Sequence, residues 1–336
     1  MTGRQGHKMR RAMKAYVLRS DNDAMRLEPR EKPQPQPGPD QLLVRVRAAS
    51  LNRGELIRGR GLTKPGTEKP AGMDAAGEVV GTGERQDGIA QNGMRVMGRL
   101  PGAFAEYGVM DKQDAIPIPA GLSFEEAAAV PITFLVVYDM LVQQGGLKAG
   151  EWLLVTGVSA GVGVAALQAG KALGAKVIGT SGSAQKLAQL KPLGLDVALQ
   201  TRKPDFHDAV MQATGGKGVN LVVNNVGGTV FAECIRSLAY EGRLATVGYL
   251  DGVMKAELDL DALHAKRLKL FGVSNKLRTA PQRAATVEGF KRDFLPLFAS
   301  GRLKPFVHRV YDFADLPQAK EAMEADRHVG KIVVRM

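Results

Sequence analysis

The segment from Val155 to Ala175 reads VTGVSAGVGVAALQAGKALGA. It runs from an apolar stretch through a glycine-rich turn into residues that favour a helix. Gly161, Gly163 and Ala166 fit the spacing G-x-G-x-x-A, in which a tight turn, a backbone without Cβ atoms and close helix packing let a diphosphate approach the helix N-terminus. Because one apolar strand precedes the segment and another follows it, the segment predicts a dinucleotide-binding unit.

Apolar strands alternate with helices over the middle of the chain. Near-continuous apolar strands in such an alternation predict a parallel sheet covered on both faces, and six strands in two halves fit a doubly wound α/β fold. The strand candidates are residues 152–156, 176–180, 197–199, 220–224, 243–247 and 268–272. The helices between most of them are predicted to begin near residues 163, 184, 206, 229 and 259.

The first third of the chain contains short β-type runs separated by turn residues, which predicts a mostly antiparallel β unit. Ser123 and Glu126 form a capping-box pattern, so a helix is predicted to begin there. The last strand candidate, residues 331–334, has no partner in the central alternation and is inferred to return to the first domain. The predicted β-type runs begin at Leu42, Glu78, Met94 and Phe104.

These patterns divide the chain into three parts. Residues 1–13 are predicted to be a disordered basic leader. Residues 14–135 and 275–336 are predicted to form one β-rich domain from both ends of the chain. Residues 136–274 are predicted to form the dinucleotide-binding domain between them.

Composition limits the classes of protein that the chain can belong to. Of the 336 residues, 44% are hydrophobic and 24% are charged, which is typical of a globular protein. The single cysteine, Cys234, excludes an intramolecular disulfide and a four-thiolate zinc site, and it fits a reducing, cytoplasmic setting. The longest uncharged run, residues 152–170, contains four glycines and three polar residues, which argues against a membrane span.

The chain carries a formal net charge of +12, and six of its cations precede the first acid, Asp21. The remaining positive charge can steer an anionic ligand such as a phosphorylated coenzyme, or attract nucleic acid non-specifically. Aromatic residues make up only 5% of the chain and do not alternate with basic residues. A nucleic-acid partner is therefore not expected.

The end of the second strand candidate indicates which dinucleotide binds. A site that prefers NAD places a carboxylate there for the ribose 2′-hydroxyl, yet no Asp or Glu occurs between Trp152 and Leu195. Ser181, Gly182 and Ser183 follow the strand and can donate hydrogen bonds, and Lys186 lies one helical turn further on. NADP(H) is therefore the predicted coenzyme.

The predicted coenzyme-binding residues lie in the turns that follow the sheet strands, because ligands of doubly wound folds bind at the carboxyl ends of the strands. They are Ser159, Ala160, Gly161, Val162, Gly163, Ser181, Gly182, Lys186, Asn225, Val226, Gly227, Gly248, Tyr249, Phe271, Gly272 and Val273.

Several motifs together resemble the zinc-independent, quinone oxidoreductase-like branch of the medium-chain dehydrogenase/reductase superfamily, over nearly the whole chain after Met13. They are AASLNRGELIRGRG from Ala48, PAGMDAAGEVVGTG from Pro70, FAEYGVM from Phe104, the segment from Val155, NNVGG from Asn224, GRLATVGYLDG from Gly242, and VGKIVVRM at the end.

The resemblance implies a GroES-like β domain, built from both chain ends, beside a Rossmann domain. It also implies NADPH-dependent reduction of quinones or α,β-unsaturated carbonyls, commonly by a homodimer. The sequence departs from the family at Asn225, where an Asp is usual, at Val136, where a Thr is frequent, and at Ile57, where some quinone reductases have a Tyr.

Two residues are candidates for positioning substrate or nicotinamide. Asn52 matches the family's Asn in the SLN motif. Tyr249 follows Gly248 at the carboxyl end of a predicted strand, and its hydroxyl can orient substrate or donate a proton.

No metal site is predicted. The residues after the SLN motif are Arg53, Gly54 and Glu55, which do not make a zinc ligand set, and the five histidines show no ligand spacing. Without a metal or an evident nucleophile, the predicted task is to hold coenzyme and acceptor in position for hydride transfer.

Two alternatives stay open at this point. One is an enoyl-thioester reductase, acting on coenzyme A or carrier-protein thioesters. The other is an NADPH-binding regulatory or RNA-binding protein without catalysis, which the net charge and the lack of an assigned proton donor would suit.

Overall fold

The computed structural model describes residues 11–20, 25–56, 66–83 and 91–336. The chain divides into two compact units, each assembled from separate stretches of sequence. The first unit comprises the chain up to Ile118, with Val310–Asp326 and Ile332–Met336. The second comprises Pro119–Arg309 and Arg327–Lys331. The predicted basic leader, residues 1–13, lies outside the described residues up to position 10, and Ile57 also lies outside them. Ala12 and Met13 belong to the first strand of the structure, so the prediction of a disordered leader is wrong for these two residues.

The described residues form 16 strands and 11 α-helices. The strands are β1 Ala12–Ser20, β2 Met25–Pro33, β3 Gln41–Ser50, β4 Glu68–Pro70, β5 Asp74–Thr82, β6 Arg95–Arg99, β7 Tyr107–Asp111, β8 Ile116–Pro117, β9 Trp152–Thr156, β10 Lys176–Ser181, β11 Val197–Gln200, β12 Val219–Asn224, β13 Leu238–Thr246, β14 Lys269–Gly272, β15 Val307–Asp312 and β16 Lys331–Arg335. The helices are α1 Arg53–Leu56, α2 Phe124–Ala128, α3 Pro131–Tyr138, α4 Gly161–Ala172, α5 Ala184–Leu190, α6 His207–Ala213, α7 Phe231–Arg236, α8 Leu260–Ala265, α9 Ala280–Asp293, α10 Leu295–Ala299 and α11 Leu316–Glu324.

The second unit contains a six-stranded sheet in the order β11-β10-β9-β12-β13-β14. All neighbouring strands of this sheet run parallel. Strand order reverses between β9 and β12, so the crevice at their carboxyl ends is where a doubly wound fold binds its ligand. The six predicted strands and the doubly wound fold are confirmed, and five predicted helices begin within two residues of the expected positions.

The first unit is built from antiparallel strands, as predicted. One sheet has the order β2-β1-β4, and a second, seven-stranded sheet follows β15-β16-β3-β5-β6-β8, with β7 also paired to β3. The C-terminal strand β16 pairs antiparallel with β3, with Val333 opposite Ser50. Leu316 and Met323 of α11 are buried in the same hydrophobic core as Val44 of β3. The predicted return of the chain's end to this unit is therefore confirmed.

The unit boundaries differ from the expected ones, 135/136 and 274/275, because helices on both sides of those positions pack together. Phe134 of α3 makes an edge-to-face contact with Phe298 of α10, with the ring centroids 5.0 Å apart. Tyr138, at the end of α3, contacts Phe294 in the same way at 5.2 Å. These aromatic contacts hold α9 and α10 in the second unit.

Two further sequence features have clear outcomes. The capping box is confirmed: Ser123 Oγ accepts a hydrogen bond from the Glu126 amide at 3.1 Å, and the Ser123 amide donates to Glu126 Oε2 at 3.0 Å. Among the described residues, no helix has both the length and the apolar character needed to cross a bilayer.

Candidate coenzyme-binding site

The glycine-rich turn joins β9 to α4 at the carboxyl edge of the sheet. Gly157 begins the turn with a φ of +63°, a conformation that glycine adopts without strain. The Val158 amide donates to the Thr180 carbonyl of β10 at 2.9 Å, which holds the turn against the neighbouring strand. Because the N-cap of α4 is Ala160, no polar cap side chain competes for the first amides of the helix. Those amides and the helix dipole are suited to an anion.

Gly161 and Gly163 have different surroundings. A Cβ at Gly163 would lie 2.5 Å from the Gly157 carbonyl oxygen and 2.7 Å from that of Val158, so this glycine lets the helix start close to the turn. A Cβ at Gly161 would meet the Lys331 side chain at 3.1 Å. The structural need for a bare backbone is therefore stronger at Gly163.

A short C-terminal segment lies against this turn. The Gly330 amide donates to the Ser159 carbonyl at 3.1 Å, and Ala160 and Gly330 form an isolated parallel bridge. Gly330 has a φ of +74°, and a Cβ there would collide with Phe306. The glycine of the terminal VGK motif thus supports the turn, a role that sequence reasoning did not find.

The end of β10 lies beside the turn. Ser159 Oγ and Ser181 Oγ are 3.3 Å apart and share a hydrogen bond. Ser183 caps α5 by accepting a hydrogen bond from the Lys186 amide at 3.3 Å. The structure therefore brings the predicted residues of these two turns together at one edge.

Arg202 is a candidate that the sequence analysis missed. Its side chain lies so close to Gly182 that any Cβ at Gly182 would collide with the guanidinium stem. The Thr201 amide donates to the Ser181 carbonyl at 3.0 Å, which places the chain after β11 at the end of β10. The available signal was topological: β11 pairs parallel with β10, so both strands end at the same edge.

Asn224 and Asn225 form a buried hydrogen-bond network with Thr156. Thr156 Oγ1 donates to Asn224 Oδ1 at 3.1 Å and accepts from the Asn225 amide at 3.1 Å. Asn225 Nδ2 donates to the Thr156 carbonyl, also at 3.1 Å. Asn225 needs its side-chain donor here, which an ionised aspartate would lack. This gives a physical reason for the departure from the usual family Asp.

The next two strands end at the same edge. The Leu250 amide donates to the Asn225 carbonyl at 3.2 Å, so the turn that carries Gly248 and Tyr249 lies beside the Asn225 turn. Tyr249 is 36% exposed. The Val273 amide donates to the Thr246 carbonyl at 3.3 Å, and Phe271 and Gly272 are the last two residues of β14.

Asp251 holds the turn after Gly227. Its carboxylate accepts hydrogen bonds from the Thr229 hydroxyl at 2.6 Å, the Thr229 amide at 2.9 Å and the Val253 amide at 2.8 Å. Burial alone would raise the pKa of Asp251, but these hydrogen bonds outweigh it and the pKa is lowered. The carboxylate therefore stays ionised and keeps the turn closed at neutral pH.

In the first unit, Asn52 lies in a polar cluster at the end of β3. Asn52 Nδ2 donates to Glu55 Oε1 at 2.6 Å and to the buried Asp74 carboxylate at 2.9 Å. Ser50 Oγ also donates to Asp74, at 3.0 Å. The Glu55 and Asp74 carboxylates thus fix the orientation of the Asn52 amide. Lys69 lies near the same cluster: burial lowers its pKa, and the nearby Glu55 carboxylate opposes this shift.

The described residues contain no group of three His, Cys, Asp or Glu side chains that could hold a metal ion. Cys234 is fully buried in the hydrophobic core of the second unit, which also includes Val222 and Leu244, and burial raises the pKa of its thiol. A buried neutral thiol of this kind is a poor metal ligand and a poor nucleophile.

The residues at the sheet edge fit a dinucleotide. The turn before α4 offers backbone amides, and the first turn of the helix contains no acidic residue. The backbone of Gly182 lies between the hydroxyl-bearing residues Ser181 and Ser183 and is close to the side chain of Arg202. The second unit is therefore a nucleotide-binding unit of the doubly wound class, and the first is an antiparallel β unit formed from both chain ends.

Two family models match the chain. The alcohol dehydrogenase GroES-like domain matches residues 38–120, and the model described as zinc-binding dehydrogenase matches residues 161–286. With the fold and the sheet-edge geometry, these matches show that the chain belongs to the medium-chain dehydrogenase/reductase superfamily of oxidoreductases.

Individual relatives are similar over nearly the whole chain. A mycobacterial protein solved in complex with NADPH is 27% identical, covers 96% of this chain and 100% of its own, and has a TM-score of 0.86. A quinone oxidoreductase from Pseudomonas syringae pv. tomato is also 27% identical, with coverage of 96% and 100% and a TM-score of 0.84. An acryloyl-coenzyme A reductase from Sulfurisphaera tokodaii is 28% identical over 96% of this chain and 100% of its own length.

The chain also resembles part of much larger proteins. It is 32% identical to a highly reducing polyketide synthase of Fusarium pseudograminearum over 88% of this chain, and it spans only 12% of that synthase.

Replacement of Gly163 by alanine should destabilise the second unit, because the new Cβ would overlap two backbone carbonyl oxygens. We expect a loss of about 1–3 kcal/mol in the free energy of unfolding, measured by urea denaturation. Gly161→Ala is the matched control, because its Cβ would meet a side-chain carbon of Lys331 at 3.1 Å and would not overlap a backbone carbonyl. Equal losses in the two variants would contradict the assigned geometry.

Asn225→Asp should cost about 1–3 kcal/mol of unfolding free energy at neutral pH, because a carboxylate would replace the amide that donates to the Thr156 carbonyl. Asn220→Asp is the control: Asn220 Oδ1 accepts from the Trp152 amide at 2.9 Å, and an aspartate keeps that acceptor. Thermal and urea unfolding of both variants test this difference. An Asn225→Asp protein as stable as the control would refute the donor role.

Proposed function

We propose that the protein is a zinc-independent, NADPH-dependent reductase of carbon–carbon double bonds conjugated to a carbonyl, as in enones and quinones. The observation that carries this proposal is the end of β10. Ser181 and Gly182 lie there with Arg202 packed against the glycine, and no carboxylate occurs from Trp152 to Leu195. Hydroxyl and guanidinium groups suit a ribose 2′-phosphate, whereas a carboxylate would suit a free 2′-hydroxyl.

The proposed coenzyme contacts follow the strands of the sheet. The amides at the start of α4 would hold the diphosphate, and Ser181, Lys186 and Arg202 would hold the adenosine end. Asn225–Gly227, Gly248–Tyr249 and Phe271–Val273 would line the nicotinamide half. When bound, the nicotinamide supplies the hydride.

The chemistry of the donor set supports a reaction without zinc. The loop after Asn52 offers Arg53, whose guanidinium is committed to the Met323 carbonyl at 2.9 Å and to Asp326 at 3.1 Å. Cys234 is buried as a neutral thiol. Reduction of a conjugated double bond needs a hydrogen-bond donor near the carbonyl oxygen, where negative charge develops, and a positioned side chain can provide it.

Tyr249 stays a prediction for that donor role. Asn52 stays a prediction for positioning substrate or nicotinamide by other contacts, because both hydrogens of its side-chain nitrogen are already donated to carboxylates. Asn52 has a fixed amide because Glu55 and Asp74 both accept from its nitrogen. Tyr249 has a partly exposed side chain on the turn beside Asn225. The resemblance also implies a homodimer, which light scattering of the purified protein would test.

A second candidate function is the reduction of enoyl thioesters. The full-length similarity to an acryloyl-coenzyme A reductase favours it, and so does the partial similarity to polyketide synthases. The reacting group is the same conjugated double bond, so the two candidates differ in what is attached to the carbonyl.

The first test is a panel of acceptors. Purified protein with NADPH should reduce at least one class among quinones, free enones and enoyl thioesters, which the loss of NADPH absorbance reports. Crotonyl-coenzyme A and the short crotonyl N-acetylcysteamine thioester should be included beside a free enone. Demonstrated NADPH binding with no turnover of any class would refute the reductase proposal and favour a binding protein.

Coenzyme preference provides the second test. Arg202→Gln should weaken NADPH binding by about tenfold or more, because a charge-assisted contact to phosphate would be lost, and should leave NADH binding unchanged. Lys203→Gln is the matched control, since Lys203 is the neighbouring exposed cation. Calorimetric titration with each coenzyme measures both constants. Equal losses for NADPH and NADH would rule out a 2′-phosphate contact.

A further inference from the structure

The first unit contains a groove of about 470 Å³ that is lined by residues of β1, β2, β3 and β7. Four cationic side chains line it: Arg11, Lys14, Arg45 and Arg47. Two carboxylates, Glu31 and Glu106, line it as well. The groove therefore has an excess of positive charge that neither the fold nor the proposed coenzyme contacts explain.

Three of the four cations, Arg11, Lys14 and Arg45, form no ion pair in the described part of the chain. Glu31 is the register partner of Lys14 across β1 and β2, and Glu78 is that of Arg45 across β3 and β5. Arg47 lies 3.6 Å from Glu78, so its charge is partly balanced. One carboxylate of the groove is also engaged, because Glu106 Oε2 accepts the Lys14 backbone amide at 2.7 Å. Guanidinium and ammonium groups that form no ion pair with the residues described, converging on one concave surface, are suited to phosphate oxygens.

The floor of the groove is partly apolar. It includes Met13 and the half-buried ring of Tyr107, which packs on the small cluster formed by Met13, Ala15 and Ala105. An aromatic ring beside guanidinium groups suits a ligand that combines phosphate with a flat organic part, rather than a bare inorganic ion.

Strand β3 connects the groove to the polar cluster at Asn52. Arg45 and Arg47 lie on this strand, and Asn52 follows its last residue. At about 3.3 Å per residue, Asn52 lies at most roughly 17 Å from Arg47 and roughly 23 Å from Arg45. A ligand whose phosphate binds in the groove and whose reactive end lies near Asn52 needs a long linear arm. Pantetheine is such an arm.

We propose that this groove binds the phosphate groups of a pantetheine-linked acyl thioester, and this inference rests on the proposed reductase function. The shared chemistry is a phosphate ester at the end of the pantetheine arm, supplied either by the 3′-phospho-ADP part of coenzyme A or by the phosphopantetheine of a carrier protein.

The test compares two double variants. Lys14→Gln/Arg45→Gln removes two exposed groove cations that form no ion pair within the described ranges, so the fold should be retained. Lys148→Gln/Lys217→Gln removes the same charge from exposed sites on the second unit. Circular dichroism and thermal unfolding confirm that both variants fold. Calorimetric titration with adenosine 3′,5′-bisphosphate, in saturating NADPH so that the coenzyme site is filled, measures groove binding directly.

We expect the groove variant to raise the Kd for the bisphosphate by about tenfold or more, with no change in the control. The KM for crotonyl-coenzyme A should rise in parallel. The kinetics with the crotonyl N-acetylcysteamine thioester, which has no phosphate, should not change. A larger KM effect with a crotonyl carrier protein than with the coenzyme A thioester would identify the carrier protein as the source.

Unchanged bisphosphate affinity in the groove variant, or the same loss in the control variant, would overturn the groove assignment. The proposed function fails separately, through the absence of NADPH oxidation with every acceptor, and the binding titration does not depend on turnover. The two failures are therefore distinguishable.

Discussion

The carboxyl edge of the sheet depends on the hydrogen bonds that Thr156 forms through its side-chain hydroxyl and its backbone carbonyl. The hydroxyl donates to Asn224 and accepts from the Asn225 amide, while the carbonyl accepts from the Asn225 side chain. Through these bonds the last residue of β9 fixes the turn after β12. The turn after β12 also holds the turn after β13, because the Leu250 amide donates to the Asn225 carbonyl. One buried residue thus aligns three loops that face the same crevice.

The fold could be predicted closely because its signals are local. Apolar strands with helices between them identify a parallel sheet, and the capping box at Ser123 marks a helix start from two residues alone. The unit boundaries could not be predicted in the same way. They depend on aromatic contacts such as that of Phe134 with Phe298, which join residues far apart in sequence. Changes in residue composition along a chain show where secondary structure changes. Packing contacts decide which elements belong to the same unit.

The residues of the candidate site also divide into those that local sequence predicts and those that only tertiary contacts reveal. The glycine-rich turn follows from its spacing, and the end of β10 follows from counting along the strand. Arg202 and Gly330 could not be found by counting, because each reaches the site through a partner distant in sequence: Gly182 for the arginine and Ser159 for the glycine. A parallel sheet brings the ends of non-consecutive strands to one edge, so part of every such site comes from segments without a motif.

The glycines of the site meet different structural requirements. Some of these requirements concern the binding of any dinucleotide, and others concern the choice between NADH and NADPH. Gly157 needs its positive φ and Gly163 needs close contact with backbone carbonyl groups, so both are set by the turn itself. Gly182 makes room for a cationic side chain and has no such backbone constraint. The first two would therefore be required for either dinucleotide. Under the proposed function, the third matters only if a phosphate must be recognised, so a preference for NADPH would rest on the second turn of the unit and not on the glycine-rich turn.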